Sequence, residues 1–276
     1  MRWRRLDTRN EDTICQSLAD LLHTRKEAIE VFWAKNMPEY VCRNYWEIDI
    51  NLFYDYFGLN KDTFTFDEVT VYHVTTRLQK ERLGEFKIDN LETVLLTENP
   101  LTMLCKRHDI IFKKEEGIAV YYRKKKMVFD APMEARLRNR LNKLNDSCVN
   151  GFLFLENMDD SYIGLTGMPE IFSDIMVALN RRDIQEEYYK QKTCYVAVIS
   201  AKIEELIFDG IDPSISDQEK TQKIVKFLLR YMGYKKTAAS DYMSNPMIRL
   251  EDRYCVPAEK ILEIREVNDW KDIFEY

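Results

Sequence analysis

Apolar positions in the first third of the chain recur at helical spacing and then switch to alternation. Ile14, Leu18, Leu21 and Leu22 define one amphipathic helix, and Thr24-x-x-Glu27 is a capping box ahead of a second carrying Ile29, Phe32 and Trp33. Pro38 predicts a break, and the aromatic-rich stretch 45–57 predicts a third helix that Gly58 closes. From Phe64 the period becomes two. Phe66, Val69, Val71 and His73 interleave with Thr70 and Tyr72 in a β-branched, aromatic run that predicts a strand and the start of the main domain. The expected organisation is an N-terminal helical segment over 1–60 and an α+β domain over 61–276.

Asn90 is positioned to cap a short helix ending at Leu96, and Pro100 to open another reaching Arg107. Strands are expected over 110–114 and 118–125, with Gly117 in the turn between them. A basic amphipathic helix follows over 131–144 with Leu137, Leu141 and Leu144 on one face, then a strand over 149–155. The loop Gly164-Leu-Thr-Gly167 leads to Pro169 in the first turn of a helix ending near Leu179. A strand is expected over 193–200, and Ser216-x-x-Glu219 opens a helix that Gly233 is expected to close. Two β-like segments flank Pro257, and a short helix is expected over 269–274.

Composition narrows the class. With 45% hydrophobic residues in 276, the chain has enough apolar matter for a sizeable core and too much for a disordered polymer. No apolar run approaches the roughly 20 residues a membrane span needs. Cys15, Cys42, Cys105, Cys148, Cys194 and Cys255 are scattered without a CxxC pair, the pattern of free thiols in a reducing compartment, and a cytoplasmic location is expected. With three histidines and no CxxC, a zinc cluster is not expected. Net charge is −6, yet the window 106–143, from Lys106 to Lys143, holds twelve Lys/Arg against five Asp/Glu, a local +7 that can attract phosphates.

Chemistry concentrates at Tyr72-His73-Val74-Thr75, a lone imidazole beside a hydroxyl near the end of a predicted strand. Farther on lie Tyr121-Tyr122 within a strand and Glu251, in Ile248-Arg-Leu-Glu251-Asp-Arg-Tyr-Cys-Val256, with Glu259 beyond it. A Y-H-x-T motif on the first core strand resembles the nicotinamide-ribose motif of the H-Y-E class of ADP-ribosyltransferases, which includes diphtheria-type toxins, poly-ADP-ribose polymerases and DNA-modifying toxins. The resemblance spans about residues 66 to 265, and Asp89-Asn-Leu-Glu-Thr-Val-Leu-Leu96 resembles the short helix after that motif in the DNA-modifying members. It implies split antiparallel sheets with flanking helices, NAD as substrate, and transfer of ADP-ribose to a macromolecular acceptor. It further implies His73 and Thr75 at the ribose, Tyr122 stacked on nicotinamide and Glu251 as the catalytic carboxylate, with Glu259 its rival because Asp252 and Arg253 separate Glu251 from the next apolar run. The basic window would then suit a nucleic-acid or protein acceptor.

Alternatives from other classes stay open. An α/β interaction protein with a structural His73 is one, and a metal-dependent nuclease or hydrolase using Asp241, Glu251, Asp252 and Glu259 is another. A GxGxxG or GxxxxGK[ST] loop, a G-x-S-x-G elbow and a second H-x-T are all missing, which argues against Walker, Rossmann, serine-triad and two-histidine phosphoesterase chemistry.

Overall fold

The computed structural model describes residues 4–36, 48–135, 147–155, 164–208, 214–237, 245–251 and 253–268. The expected Pro38 break, the start of the 45–57 helix, most of the 131–144 helix, Asp241, Asp252 and the 269–274 helix lie outside those residues. The fold is mixed α+β, with largely antiparallel sheets and an N-terminal helical segment.

Strand β2 (Glu68–Arg77) is the long, ten-residue strand that the period-two run predicts. It pairs antiparallel with β7 (Thr193–Lys202) through ten successive pairs, from Glu68↔Lys202 to Arg77↔Thr193. Both are rich in Val, Ile, Tyr and Thr, which suit a pleated surface buried on both faces. β10 (Ile261–Val267) adds to the far side of β7. On the other side of β2 come the two-residue β1 (Arg5–Leu6), parallel, and then β6 (Asn150–Phe152), β9 (Met247–Leu250) and β8 (Leu206–Phe208), all antiparallel. A separate three-stranded sheet consists of β3 (Ile110–Lys114), β4 (Ile118–Tyr122) and β5 (Lys125–Lys126).

Helices α1 (Glu11–Leu21), α2 (Lys26–Asn36) and α3 (Asn51–Tyr56) put Ile14, Leu18, Phe32, Trp33 and Phe53 into the same core as Val69, Val71 and Ile199 of the sheet. β1 also ties this segment to β2. Thr8 extends the tie: its amide donates to Thr70 Oγ1 at 2.8 Å and its hydroxyl to Leu153 O at 2.6 Å, with Tyr72 Oη 3.2 Å from Thr70 Oγ1. Tyr72, the first residue of the Y-H-x-T motif, is fully buried in this hydroxyl cluster and is therefore a structural residue. A second core joins α4 (Leu91–Leu96), α5 (Pro100–Arg107), α6 (Glu170–Ala178), α7 (Arg182–Gln191) and the three-stranded sheet.

Local signals place most boundaries. Asn90 caps α4 through Thr93 N, and Asn99 with Thr102 forms a capping box in front of Pro100. Gly58 takes φ +64 after α3. Several expectations change. The second helix begins at Lys26, beyond the reach of a Thr24 cap. β4 stops at Tyr122 because Arg123 and Lys124, at φ 49 and 65, form a two-residue reverse turn into β5. Pro169 is the N-cap of α6 rather than part of its first turn. Gly233 does not end α8 (Asp217–Thr237); residues 227–234 are buried on all sides, and that burial outweighs the roughly 1 kcal/mol cost of a mid-helix glycine. α7, β8 and β9 appear without having been expected. Beyond Pro257 the β-like segment is confirmed in β10, whereas before it only Val256 bridges, to Ile88.

Gly151 is where β6 comes closest to β2: a Cβ there would lie 2.5 Å from Val71 Cγ1 and 2.8 Å from Tyr72 O. The second of these is backbone and cannot move aside cheaply. Gly151→Ala is expected to lower stability by about 2 kcal/mol, in the range of overpacked core sites, as measured by urea denaturation. An unchanged midpoint would mean that β6 retreats freely from β2.

Candidate functional site

The C-terminal half of β2 opens into a cleft of about 350 Å³. His73, Thr75 and Arg77, alternate residues of one strand and hence neighbours on one face, line it together with Thr76. The wall opposite comes from the 78–89 connection, α4, and the start of α5; Cys148, Val149, Ile171 and Tyr188 complete it. The volume lies at the lower end of the range for small-ligand sites, and the mixture of apolar wall with a few converging polar groups is typical of them.

His73 is half-buried, with Nδ1 2.6 Å from the carbonyl oxygen of Asn150 on the neighbouring strand. Only a protonated Nδ1 can donate to a carbonyl, so the neutral ring leaves Nε2 with its lone pair, and Nε2 has no partner among the described residues. Burial pushes the His73 pKa down to about 4, opposed by the Asn150 hydrogen bond and assisted by the charge of Arg77. At neutral pH the cleft thus presents an oriented, uncharged hydrogen-bond acceptor. Gly151 matters here too, because it lets β6 approach β2 closely enough for the carbonyl of Asn150 to reach the ring.

The neighbouring Thr76 hydroxyl is 2.5 Å from Tyr188 Oη and donates to Gly167 O at 3.1 Å, joining β2 to α7 and to the turn before α6. Burial pushes the Tyr188 phenol up to about 12, so it remains a neutral donor. Cys148 Sγ accepts from Arg249 Nε at 3.3 Å, which connects the cleft wall to β9.

The structure separates the other expected residues from His73. Tyr122 is half-buried at the end of β4, where its hydroxyl accepts from Arg181 Nη1 at 3.2 Å, while Arg123 and Arg181 lie 5.1 and 5.9 Å from its ring centroid. It belongs to a surface network in which Arg181 also pairs with Asp183 and donates to His108 Nδ1, and His108 Nε2 meets Glu187 at 2.7 Å. Glu251 is exposed, one residue past β9, and is two strands from β2, about 10 Å across the sheet. Neither it, exposed Glu259, nor Tyr121, whose hydroxyl donates to Glu115, lines the cleft. The carboxylates that do line it are Glu81, Glu85 and Asp89. Among the described residues no group of three or more His, Cys, Asp or Glu side chains is arranged to hold a metal ion.

Sequence reading missed Arg77, Asn150 and Tyr188. Strand alternation from His73 through Thr75 points directly to Arg77. Asn150 acts through its backbone, which leaves no trace in a side-chain pattern, and Tyr188 sits on the unexpected α7. No known protein family, curated protein or solved structure matches the chain.

A folded-state pKa near 4 against an ordinary value near 6.5 means that between those values the unfolded chain takes up a proton which the folded chain refuses. The stability contributed by neutral His73 is complete above pH 6.5 and is lost as pH falls towards 4. His73→Gln, which keeps a polar side chain without titrating, is expected to flatten the stability profile over that window by about 2 kcal/mol, allowing for the ring's partial exposure. Identical wild-type and variant profiles between pH 4 and 6.5 would place the acid-sensitive group elsewhere.

Proposed function

We propose that the cleft binds NAD and that the protein is an ADP-ribosyltransferase-like enzyme of the H-Y-E type, with β2 as its motif strand in a split-sheet fold of that class. One observation carries the reading: His73 of Tyr72-His73-Val74-Thr75 lines the cleft, its ring held at Nδ1 by a backbone carbonyl and its Nε2 without a partner among the described residues. An acceptor fixed on a rigid strand suits a ribose hydroxyl, and Thr75 lies beside it on the same face. In the reaction, the bond from ribose C1′ to the nicotinamide nitrogen breaks and nicotinamide leaves with the electron pair. The positive charge left on the ribose is quenched by an acceptor nucleophile that gives up its proton. A carboxylate stabilises that charge.

The acceptor in this reading is a macromolecule, with nucleic acid favoured by the β3–β5 region. Lys114, Lys126 and Arg107 are paired with Glu92, Glu115 and Glu187, but Lys113, Arg123, Lys124 and Lys125 are exposed and form no ion pair among the described residues. Such cations attract phosphates in a salt-dependent way.

The positions of Tyr122 and Glu251 outside the cleft lining favour a second reading, in which the nucleotide is bound but not consumed and the protein serves as an interaction module.

Calorimetric titration of NAD is expected to give binding to the wild type and at least tenfold weaker binding to folded His73→Ala, with Tyr122→Phe unchanged. Nicotinamide release, followed by chromatography, separates the readings: release that Glu251→Gln reduces a hundredfold supports transfer, and binding without release supports the module. A folded wild type that does not bind NAD would overturn both.

A further inference from the structure

Arg77 ends β2 four residues after His73, on the same face, and its side chain lines the same cleft. Nη2 donates to Lys87 O at 3.1 Å, and the Phe86 ring centroid lies 5.3 Å from the guanidinium carbon. Among the described residues Arg77 forms no ion pair. The other cation of the lining, Lys87, is already paired with Asp89 at 3.1 Å, and Glu81 is bonded to Gln79 at 3.1 Å. Glu81 and Asp89 act on Arg77 through their charge only. Burial is the largest influence and lowers its pKa in spite of them, so the guanidinium has lost more hydration than its neighbours restore. A half-buried, permanently charged fork with one hydrogen-bond partner among the described residues is an incomplete arrangement, since guanidinium offers five N–H donors.

We infer that Arg77 is the anion-binding residue of the cleft and takes a phosphate group of a nucleotide whose ribose meets His73. This rests on the nucleotide reading above and assigns the part of the ligand that reading leaves open. The planar fork matches phosphate oxygens in pairs, and the Phe86 ring and the Lys87 carbonyl fix its plane. Along β2, His73 and Arg77 are about 13 Å apart at their Cα atoms, a span that a ribose 5′-phosphate bridges when both side chains lean inward. The modest volume fits the nicotinamide–ribose–phosphate half of a dinucleotide better than the whole, with the remainder leaving along the exposed 78–89 connection.

The test is calorimetric titration of nicotinamide riboside, nicotinamide mononucleotide and inorganic diphosphate into the wild type, Arg77→Gln and Arg77→Lys, each first shown to be folded by thermal unfolding. The wild type is expected to bind the mononucleotide at least tenfold more tightly than the riboside. Arg77→Gln is expected to abolish that difference while leaving riboside affinity unchanged, and Arg77→Lys to restore part of it. The wild-type comparison needs no variant and holds even if a substitution prevents folding. Equal wild-type affinity for riboside and mononucleotide would overturn the proposal, as would an Arg77→Gln loss equal for both ligands, which is the mark of a merely structural role at Lys87. Diphosphate binding that disappears in Arg77→Gln, with neither nucleoside ligand bound, would retain the anion site and reject the NAD reading. Failure of all three ligands on the wild type would reject both.

Discussion

The ten-pair ladder between β2 and β7 is the constraint on which the rest of the structure depends. It holds His73, Thr75 and Arg77 at fixed spacing on one face, while Tyr72 and Val74 join the core on the other. Because a strand's side chains alternate with a period of two, a slip of one residue would bury the polar set and expose the apolar one, so the register is enforced by burial on both sides.

Two cores surround this ladder and divide the work. The N-terminal helices pack with the main sheet in the larger core, and Thr8, Thr70 and Tyr72 fasten β1 to β2 through buried hydroxyls that satisfy one another. The smaller core, beneath α4, α5, α6 and the three-stranded sheet, supplies the opposite wall of the cleft. The cleft lies where the two cores meet at the C-terminal end of β2, past its pairing with β6 at Tyr72.

Electrostatics there is governed by dehydration. Burial keeps His73 neutral and depresses Arg77, and among the described residues only the carbonyl oxygens of Asn150 and Lys87 hold their polar atoms in direct hydrogen bonds. Of the acids lining the cleft, Asp89 pairs with Lys87 and Glu81 accepts from Gln79. An uncharged acceptor and a poorly compensated cation on one strand form a polar pair suited to a ligand that carries both a hydroxyl and an anion.

Much of the framework was legible in the residues themselves. Asn90, Pro100, Gly58 and the Ser216–Glu219 box set helix ends through local hydrogen bonds and backbone preferences, and alternation from Phe66 to His73 announced β2, because such signals act within a few residues. Non-local burial decided the rest. It carried α8 through Gly233, gave α7 a footing on only Ile184 and Tyr188, and recruited the three-residue strands β6 and β8 by pairing rather than by pattern. At the site, the motif marked His73 and Thr75 but not Arg77, which lies two residues beyond it on the same face. Only the tertiary structure set Asn150 O against the ring and moved Tyr122 and Glu251 away from it, because distances between segments far apart in the chain depend on packing that no local pattern records.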